Sequence, residues 1–298
     1  MNSIPFYIAD SFTRTRYAGN PAGVVLPDAP MTDAQMQTVA GELHVESAFV
    51  TASTSPEADY DVVYYTSAKR IPLCGHDTIA LVTVLHQINL LPASGTVRLA
   101  TDVGVLSVSR SADGRVTMRQ ALPRYGQIVP AADAADALGL PLSEIEATGL
   151  PVQVVSTGTP FLIVPVTHRA ALSALAPDMA ALVAYGDSLP DYADGFYLWS
   201  PETISSDAQI HARCYAPAAG LPEDPITGTA SGAVGAYLAR HNCLTPSNDG
   251  VLSFRTEQGY DMGRPGNAEV CIRSLEGEVT SVEVSGYAVV VAEGKLWI

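Results

Sequence analysis

Two stretches, GHDTIALVTVL at 75–85 and GTASGAVGAYL at 228–238, align on one another without a gap. Each opens on glycine where a polar loop gives way to a long run of apolar and small residues. Such a run predicts a helix buried on most of its faces. Two more pairs recur in the same order. GNPAGVVLP at 19–27 has a counterpart in GTPFLIVP at 158–165, and TDVG at 101–104 in TEQG at 256–259. Three ordered matches predict an internal duplication. The expected molecule has two similar α/β halves facing each other, divided near 121–127, where proline and glycine punctuate the chain.

Local signals agree with alternating strands and helices. Residues 4–9 and 23–26 read as short apolar strands around a loop rich in Arg, Gly and Asn. Thr32 followed by Gln35 is a capping-box pattern, and Met36, Val39, Ala40 and Leu43 supply the helical stripe behind it. Strands are expected at 47–51 and 61–65, a helix over 78–89, and a strand pair at 97–99 and 105–109 around Gly104. With 298 residues, two domains of ordinary size are the prior, and a 47% hydrophobic composition supports a sizeable core.

Charge and cysteine usage remove several function classes. The formal net charge of −15 opposes a nucleic-acid partner, whose phosphates would be repelled. No apolar stretch approaches the roughly 20 residues of a membrane helix, and the start MNSIPFYIAD does not read as a secretory signal. Cys74, Cys214, Cys243 and Cys271 show no CxxC spacing and no histidines form HExxH, so neither disulfides nor a metal are expected. A reducing cytoplasm fits this usage.

The glycines at 75 and 228 sit where loops become helices. A helix N-terminus offers N–H groups and partial positive charge to an anion such as a carboxylate. Two such ends in a cleft between the halves would hold a small carboxylate, and stabilise the enolate-like charge formed when its α-proton leaves.

Further motifs make the chain recognisable. They are AGNPAGVVL at 18–26, ESAFV at 46–50, PLCGH at 72–76, TDVGVLSV at 101–108, PVQVVSTGTPFLIVPV at 151–166, GLPEDPITGTASGA at 220–233, QGYDMGRPG at 258–266 and VSGYAVVVAEG at 284–294. Together they resemble the PhzF-like family, named after an isomerase of phenazine biosynthesis and sharing the diaminopimelate epimerase fold. The resemblance implies an α+β protein of two pseudo-symmetric domains, each a curved, mostly antiparallel sheet or barrel around a central helix. The first would span 1–121, joined by the C-terminal strand 287–298, and the second 122–286, with the active site in the cleft between them. It also implies a homodimer that uses no metal or organic cofactor.

On the family pattern Glu46 corresponds to the glutamate that acts as acid–base, His76 to the histidine of the GH motif and Asp224 to the aspartate of the EDP motif. In the epimerase branch two cysteines act as opposed acid and base. The first falls on Cys74, and the second on Asp224, which is not a cysteine. An enclosed site would raise the proton affinity of Glu46, letting one carboxyl take and return a proton. His76, in a first helical turn, is expected neutral because that end disfavours imidazolium. Asp224, followed by proline, also reads as an N-cap of the second helix. A thiol beside a helix start is acidified, so Cys74 is a possible catalytic residue, although a buried small hydrophobe is the commoner role. Asn20, Gly75, Gly228 and Thr229 are candidate substrate-binding positions, Asp77 a first-turn carboxylate, and the other three cysteines packing residues. Two features depart from the family pattern: VYYTS at 63–67 replaces an RWFTP-like strand, and Asp77 follows GH where a small residue is usual.

The leading expectation is a cofactor-independent isomerase that shifts a proton on a small carboxylate-bearing substrate. The alternatives are an amino-acid epimerase or racemase, a lyase or cyclase using the same carbanion chemistry, and a non-catalytic binding protein that retains the cleft.

Overall fold

A computed structural model describes residues 3–297. The fold is α+β and divides into two compact units. One comprises the chain up to Arg119 together with the residues from Ser285 onward, and the other is Gln120–Val284.

In the first unit, strand Ser3–Ser11 pairs antiparallel with Asn20–Val25 on one side and with the C-terminal strand Ala288–Trp297 on the other. Asn20–Val25 then runs parallel to Glu46–Ala52, reached through helix Asp33–Leu43, and Glu46–Ala52 pairs antiparallel with Tyr60–Tyr65. The chain next forms the helix Gly75–Gln87 and returns as Gly95–Thr101, parallel to Tyr60–Tyr65 and antiparallel to Gly104–Arg110.

The second unit repeats these steps. Val152–Ser156 pairs antiparallel with Pro160–Pro165, which runs parallel to Gly195–Ser200. Gly195–Ser200 pairs antiparallel with Ile210–Ala216. After the helix Gly228–Arg240, strand Val251–Gln258 lies parallel to Ile210–Ala216 and antiparallel to Gly266–Leu275. The duplication read from short motifs is therefore a duplication of strand order and direction.

Each central helix is sheathed by strands of its own unit. Gly75–Gln87 lies against Ser3–Ser11, Asn20–Val25, Glu46–Ala52, Val116–Arg119 and Ala288–Trp297. Gly228–Arg240 lies against Val152–Ser156, Pro160–Pro165 and Gly266–Leu275. The first helix is buried over most of its surface, and Ile79, Leu81, Val82, Val84 and Leu85 are completely buried. Burying each stabilises the unit by about 1.5–3 kcal/mol relative to exposure. The second helix reaches the same burial with small residues. A Cβ at Gly235 would stand 2.7 Å from Val270, and one at Gly232 would run into the side chain of Gln120. Glycine here lets neighbours approach the helix axis closely.

Boundaries differ from expectation in informative ways. The first central helix starts at Gly75 rather than 78 and ends at Gln87 rather than 89, so the whole GHD segment is helical. The strand expected at 23–26 begins at Asn20, because Ser11 and Asn20 are already in register. The capping box at Thr32 and Gln35 is present as read. Asp224 does not cap the second helix. It closes the strand Leu221–Asp224, and the cap position belongs to Thr227, whose hydroxyl donates to the Asp224 carboxylate at 2.6 Å.

Candidate active site

Strand pairing and the helix start together place Glu46, Cys74 and His76. Glu46 opens its strand in register with Ala22, two residues from Asn20. Cys74 is the cap residue of Gly75–Gln87, and its carbonyl accepts from the Thr78 hydroxyl at 2.7 Å. The His76 carbonyl accepts from the Ser11 hydroxyl at 2.7 Å, which ties the helix start to the first strand. One donor atom from each of Glu46, Cys74 and His76 lies within 4.8 Å of the others.

Within the cluster, His76 Nε2 is 3.2 Å from Glu46 Oε2 and 3.3 Å from Asp77 Oδ1. Cys74 Sγ is 3.3 Å from His76 Nδ1, 3.9 Å from Nε2 and 3.9 Å from Glu46 Oε2. Cys74 and His76 are buried, Asp77 wholly so, and the Glu46 side chain keeps 15% exposure. Burial pushes the His76 imidazole down to about 4, against a smaller opposing effect of its hydrogen bond to the Pro21 carbonyl. The ring is thus neutral at physiological pH, as expected, but desolvation is the main cause rather than the helix end. A neutral imidazole has one donor and one acceptor nitrogen. With its N–H given to Pro21, the other nitrogen is free to take a proton shared with the surrounding carboxyl and thiol groups.

Asn20 is buried and directly precedes Pro21, so it belongs to the same neighbourhood through the strand. A Cβ at Gly75 would meet only Met118 at 3.5 Å, an ordinary contact, so crowding is not what requires glycine there.

Asp224, Gly228 and Thr229 lie in the second unit. Asp224 is buried, directly opposite Cys214 in the strand register. Cys214 is completely buried, and burial first, then the Asp224 charge, push its thiol well above the usual range. It stays a thiol, as its packing assignment requires. The carbonyls of Gly228 and Thr229 accept from Gln120 at 2.9 Å and Thr157 at 3.3 Å. By the gapless repeat, the residue standing where Cys74 stands in the first helix is Thr227, not Asp224. The opposed-cysteine pattern therefore has no cysteine at the second cap position.

Three features escaped the sequence reading. Asp77 is a wholly buried carboxylate against the His76 ring rather than only a favourable charge at a helix start. Gln258 is completely buried, donating to the Asp224 carbonyl at 2.7 Å and to the Thr227 hydroxyl at 3.2 Å while accepting from the Thr227 N–H at 3.3 Å. Its position in TEQG was the available signal. Tyr64, inside the departing VYYTS strand, hydrogen-bonds the Thr78 hydroxyl at 2.7 Å. Because Thr78 gives its own proton to Cys74, Tyr64 is the donor.

A fold built from two repeats around buried helices, with a carboxylate and a neutral histidine at one helix start, defines the class. The family model for phenazine biosynthesis-like proteins matches residues 9–294. An uncharacterized isomerase of Clostridium acetobutylicum is 33% identical, over 97% of each chain. The trans-2,3-dihydro-3-hydroxyanthranilate isomerase of Pseudomonas aeruginosa is 26% identical over 98% of this chain and 99% of that protein. A PhzF-family phenazine biosynthesis protein of Bacillus anthracis has a crystal structure matching this one with a TM-score of 0.88, at 28% identity and over 100% of both chains. The chain belongs to the phenazine biosynthesis-like, or PhzF, family, and it is an isomerase of that type.

Proposed function

We propose that this isomerase shifts a proton on a small carboxylate-bearing substrate by acid–base catalysis, with Glu46 as the group that takes and returns the proton. The observation that carries the reading is the 3.2 Å contact between Glu46 Oε2 and Nε2 of a buried, neutral His76. A carboxyl that returns a proton needs a partner that holds its protonated form. With its one N–H given to Pro21, the neutral imidazole offers Nε2 as an acceptor to that form, and the ionised carboxylate is the form that takes the proton from carbon. His76 positions the Glu46 carboxyl, and the N-terminal N–H groups of helix Gly75–Gln87 suit the substrate carboxylate. Asp224 is proposed as a further participant on the family pattern, and Asn20, Gly228 and Thr229 as substrate-binding positions.

The same proposal places the protein in the cytoplasm as a homodimer, without a resident cofactor. Among the described residues no helix is long and apolar enough to cross a membrane.

A panel of unsaturated and α-substituted carboxylates incubated with the protein in D2O, followed by NMR, tests the reading. Deuterium uptake with a moved double bond is expected. One observation favours a second reading: Cys74 Sγ lies within 3.9 Å of both Glu46 Oε2 and His76 Nε2, so the thiol is placed to be an acid–base group itself. Uptake accompanied by inversion at a stereocentre, and abolished by Cys74→Ala, would replace the leading reading with that one.

A further inference from the structure

We propose that Arg213 is a positioning residue for this reaction: its guanidinium grips Glu223 and thereby fixes the direction in which the neighbouring Asp224 carboxylate is presented. The inference rests on the proposed participation of Asp224 in the proton shift.

The strand that carries Asp224 is weakly paired. Leu221–Asp224 is four residues long and meets Ile210–Ala216 at two positions, Cys214 with Asp224 and Ala216 with Leu221, with a register shift between them. It follows a turn at Gly220, whose φ is 84°, and Pro222 within it has no N–H to give to a ladder. Gln258 and Thr227 hold Asp224 from the loop side, at its carbonyl and its carboxylate. The other face of the strand is held through Glu223. Successive side chains of a strand point to opposite faces, so a rotation that moves one carboxylate also moves the other. A grip on Glu223 therefore sets the angle of Asp224.

Arg213 supplies that grip. Its Nε and Nη2 each donate to one oxygen of Glu223, both at 2.8 Å, in a two-bond fork. Its Nη1 donates to the carbonyls of Leu172 at 2.6 Å and Leu175 at 3.2 Å, where helix Arg169–Ser173 ends. The guanidinium carbon lies 5.1 Å from the centre of the Tyr215 ring. The fork is thus anchored to a helix end and a ring as well as to its own strand. The side chains of Arg213 and Glu223 are only 8% and 17% exposed. Desolvation offsets much of the attraction in such a pair, so stability alone is a weak reason for it. A fork provides one enforced geometry, which a lysine ammonium on its flexible stem would not reproduce.

The first unit repeats the device with the charges exchanged. Four residues before the cap of each central helix stand Arg70, ahead of Cys74, and Glu223, ahead of Thr227. Arg70 makes its own two-bond fork, to Asp102, at 2.9 and 2.7 Å. Both copies pin the short strand ahead of the helix start through an ion pair at the same place. The residue that follows is apolar Ile71 in the first unit and Asp224 in the second. Only the second fork has an acid beside it to aim.

The test follows deuterium exchange into the panel carboxylate that wild-type protein labels fastest. Glu223→Gln keeps the size of the side chain and breaks the charged fork. It should slow exchange roughly 10- to 100-fold, as a displacement of about 1 Å in a reacting group does, and Arg213→Lys should do the same. In an Asp224→Asn background, Glu223→Gln should slow exchange by less than about 2-fold, because the group it positions is already gone. A merely structural fork would slow it equally in both backgrounds. Amide hydrogen exchange gives a readout independent of turnover: Glu223→Gln should raise exchange over 221–227 and leave helix Gly228–Arg240 protected. If that helix also loses protection the variant has failed to fold, and the same comparison with Arg213→Lys decides. Wild-type activity in Glu223→Gln, an undiminished loss in the Asp224→Asn background, or unchanged protection over 221–227 overturns the proposal. If Asp224→Asn exchanges as fast as wild type, the inference falls while the role of Glu46 stands. If wild-type protein labels none of the panel, the proposed function fails, and the fork is judged by amide protection alone.

Discussion

The two central helices begin alike and are equipped differently. Position by position, Cys74, Gly75, His76, Asp77 and Thr78 of the first correspond to Thr227, Gly228, Thr229, Ala230 and Ser231 of the second. In both, the hydroxyl four residues past the cap donates to the cap carbonyl, Thr78 to Cys74 at 2.7 Å and Ser231 to Thr227 at 2.8 Å. A buried tyrosine from a neighbouring strand contacts each hydroxyl, Tyr64 in one unit and Tyr197 in the other. The scaffolding of the helix start is thus duplicated, while a thiol, an imidazole and a carboxylate appear on one copy only. Duplication preserved what holds the helix and left what faces outward from its first turn to diverge.

If that asymmetry is chemical, Glu46→Gln has the largest effect available. The variant keeps the size and hydrogen-bonding shape of the side chain but cannot exchange a proton. Turnover should fall by roughly 100- to 10,000-fold or more, with the melting curve little changed. Deuterium uptake from D2O measures it, and near-normal exchange would remove Glu46 from the mechanism.

The imidazole gives a second way to separate the copies, since its counterpart Thr229 does not titrate. His76 is held down to about 4 from an ordinary value of 6.5. Between those limits the unfolded chain binds a proton that the folded protein refuses. Stability contributed by neutral His76 is therefore fully present above about 6.5 and lost as pH falls toward about 4, a change on the order of 3 kcal/mol. Urea melts across this window should show the slope, and His76→Asn should flatten it. An unchanged slope in the variant would assign it to other groups.

How much of this was legible in the sequence follows the range of the interactions. The central helices and the capping box are local, and the repeat motifs carried strand order because each match spans a whole turn or helix start. Glu46 entered only through the family pattern, since nothing in its own surroundings marks it. The closeness of Asp77 to the ring depends on one side-chain direction within a helical turn, and no periodicity rule supplies that. Asp224 misled as a cap because Asp-Pro is a good local signal, whereas a strand extending through Asp224 postponed the helix to Gly228. Tertiary pairing overrode a correct local preference.

TDVG and TEQG make the same point in a single pair of residues. Gly104 and Gly259 both take positive φ, 105° and 83°, so the turn is shared. The residue before each has diverged: Val103 is 53% exposed, and Gln258 is completely buried and holds the loop at 224–227 through three hydrogen bonds. Gln258→Leu should cost about 2–3 kcal/mol by stranding buried partners, and Val103→Gln about 0.5 kcal/mol or less. Chemical denaturation of the two variants checks it, and equal costs would deny the second unit its clamp.

The smallest effect probes the scaffolding that the copies share. Thr78→Val keeps the shape of the side chain but removes the hydroxyl that Tyr64 donates to and that itself caps the Cys74 carbonyl. A buried phenol that loses its acceptor should cost about 1–3 kcal/mol. Ser231→Ala removes the equivalent hydroxyl in the second unit, yet Tyr197 also hydrogen-bonds Thr256 at 3.1 Å and keeps that partner. Its cost should be smaller, about 0.5–1 kcal/mol. The inequality is the useful readout, because strict symmetry of the two helix starts predicts equal losses. Equal losses would mean that the Thr256 contact contributes nothing. A larger loss at Ser231 would mean that the second helix start depends more on its cap than the first, where the buried side chains of Cys74, His76 and Asp77 add contacts of their own.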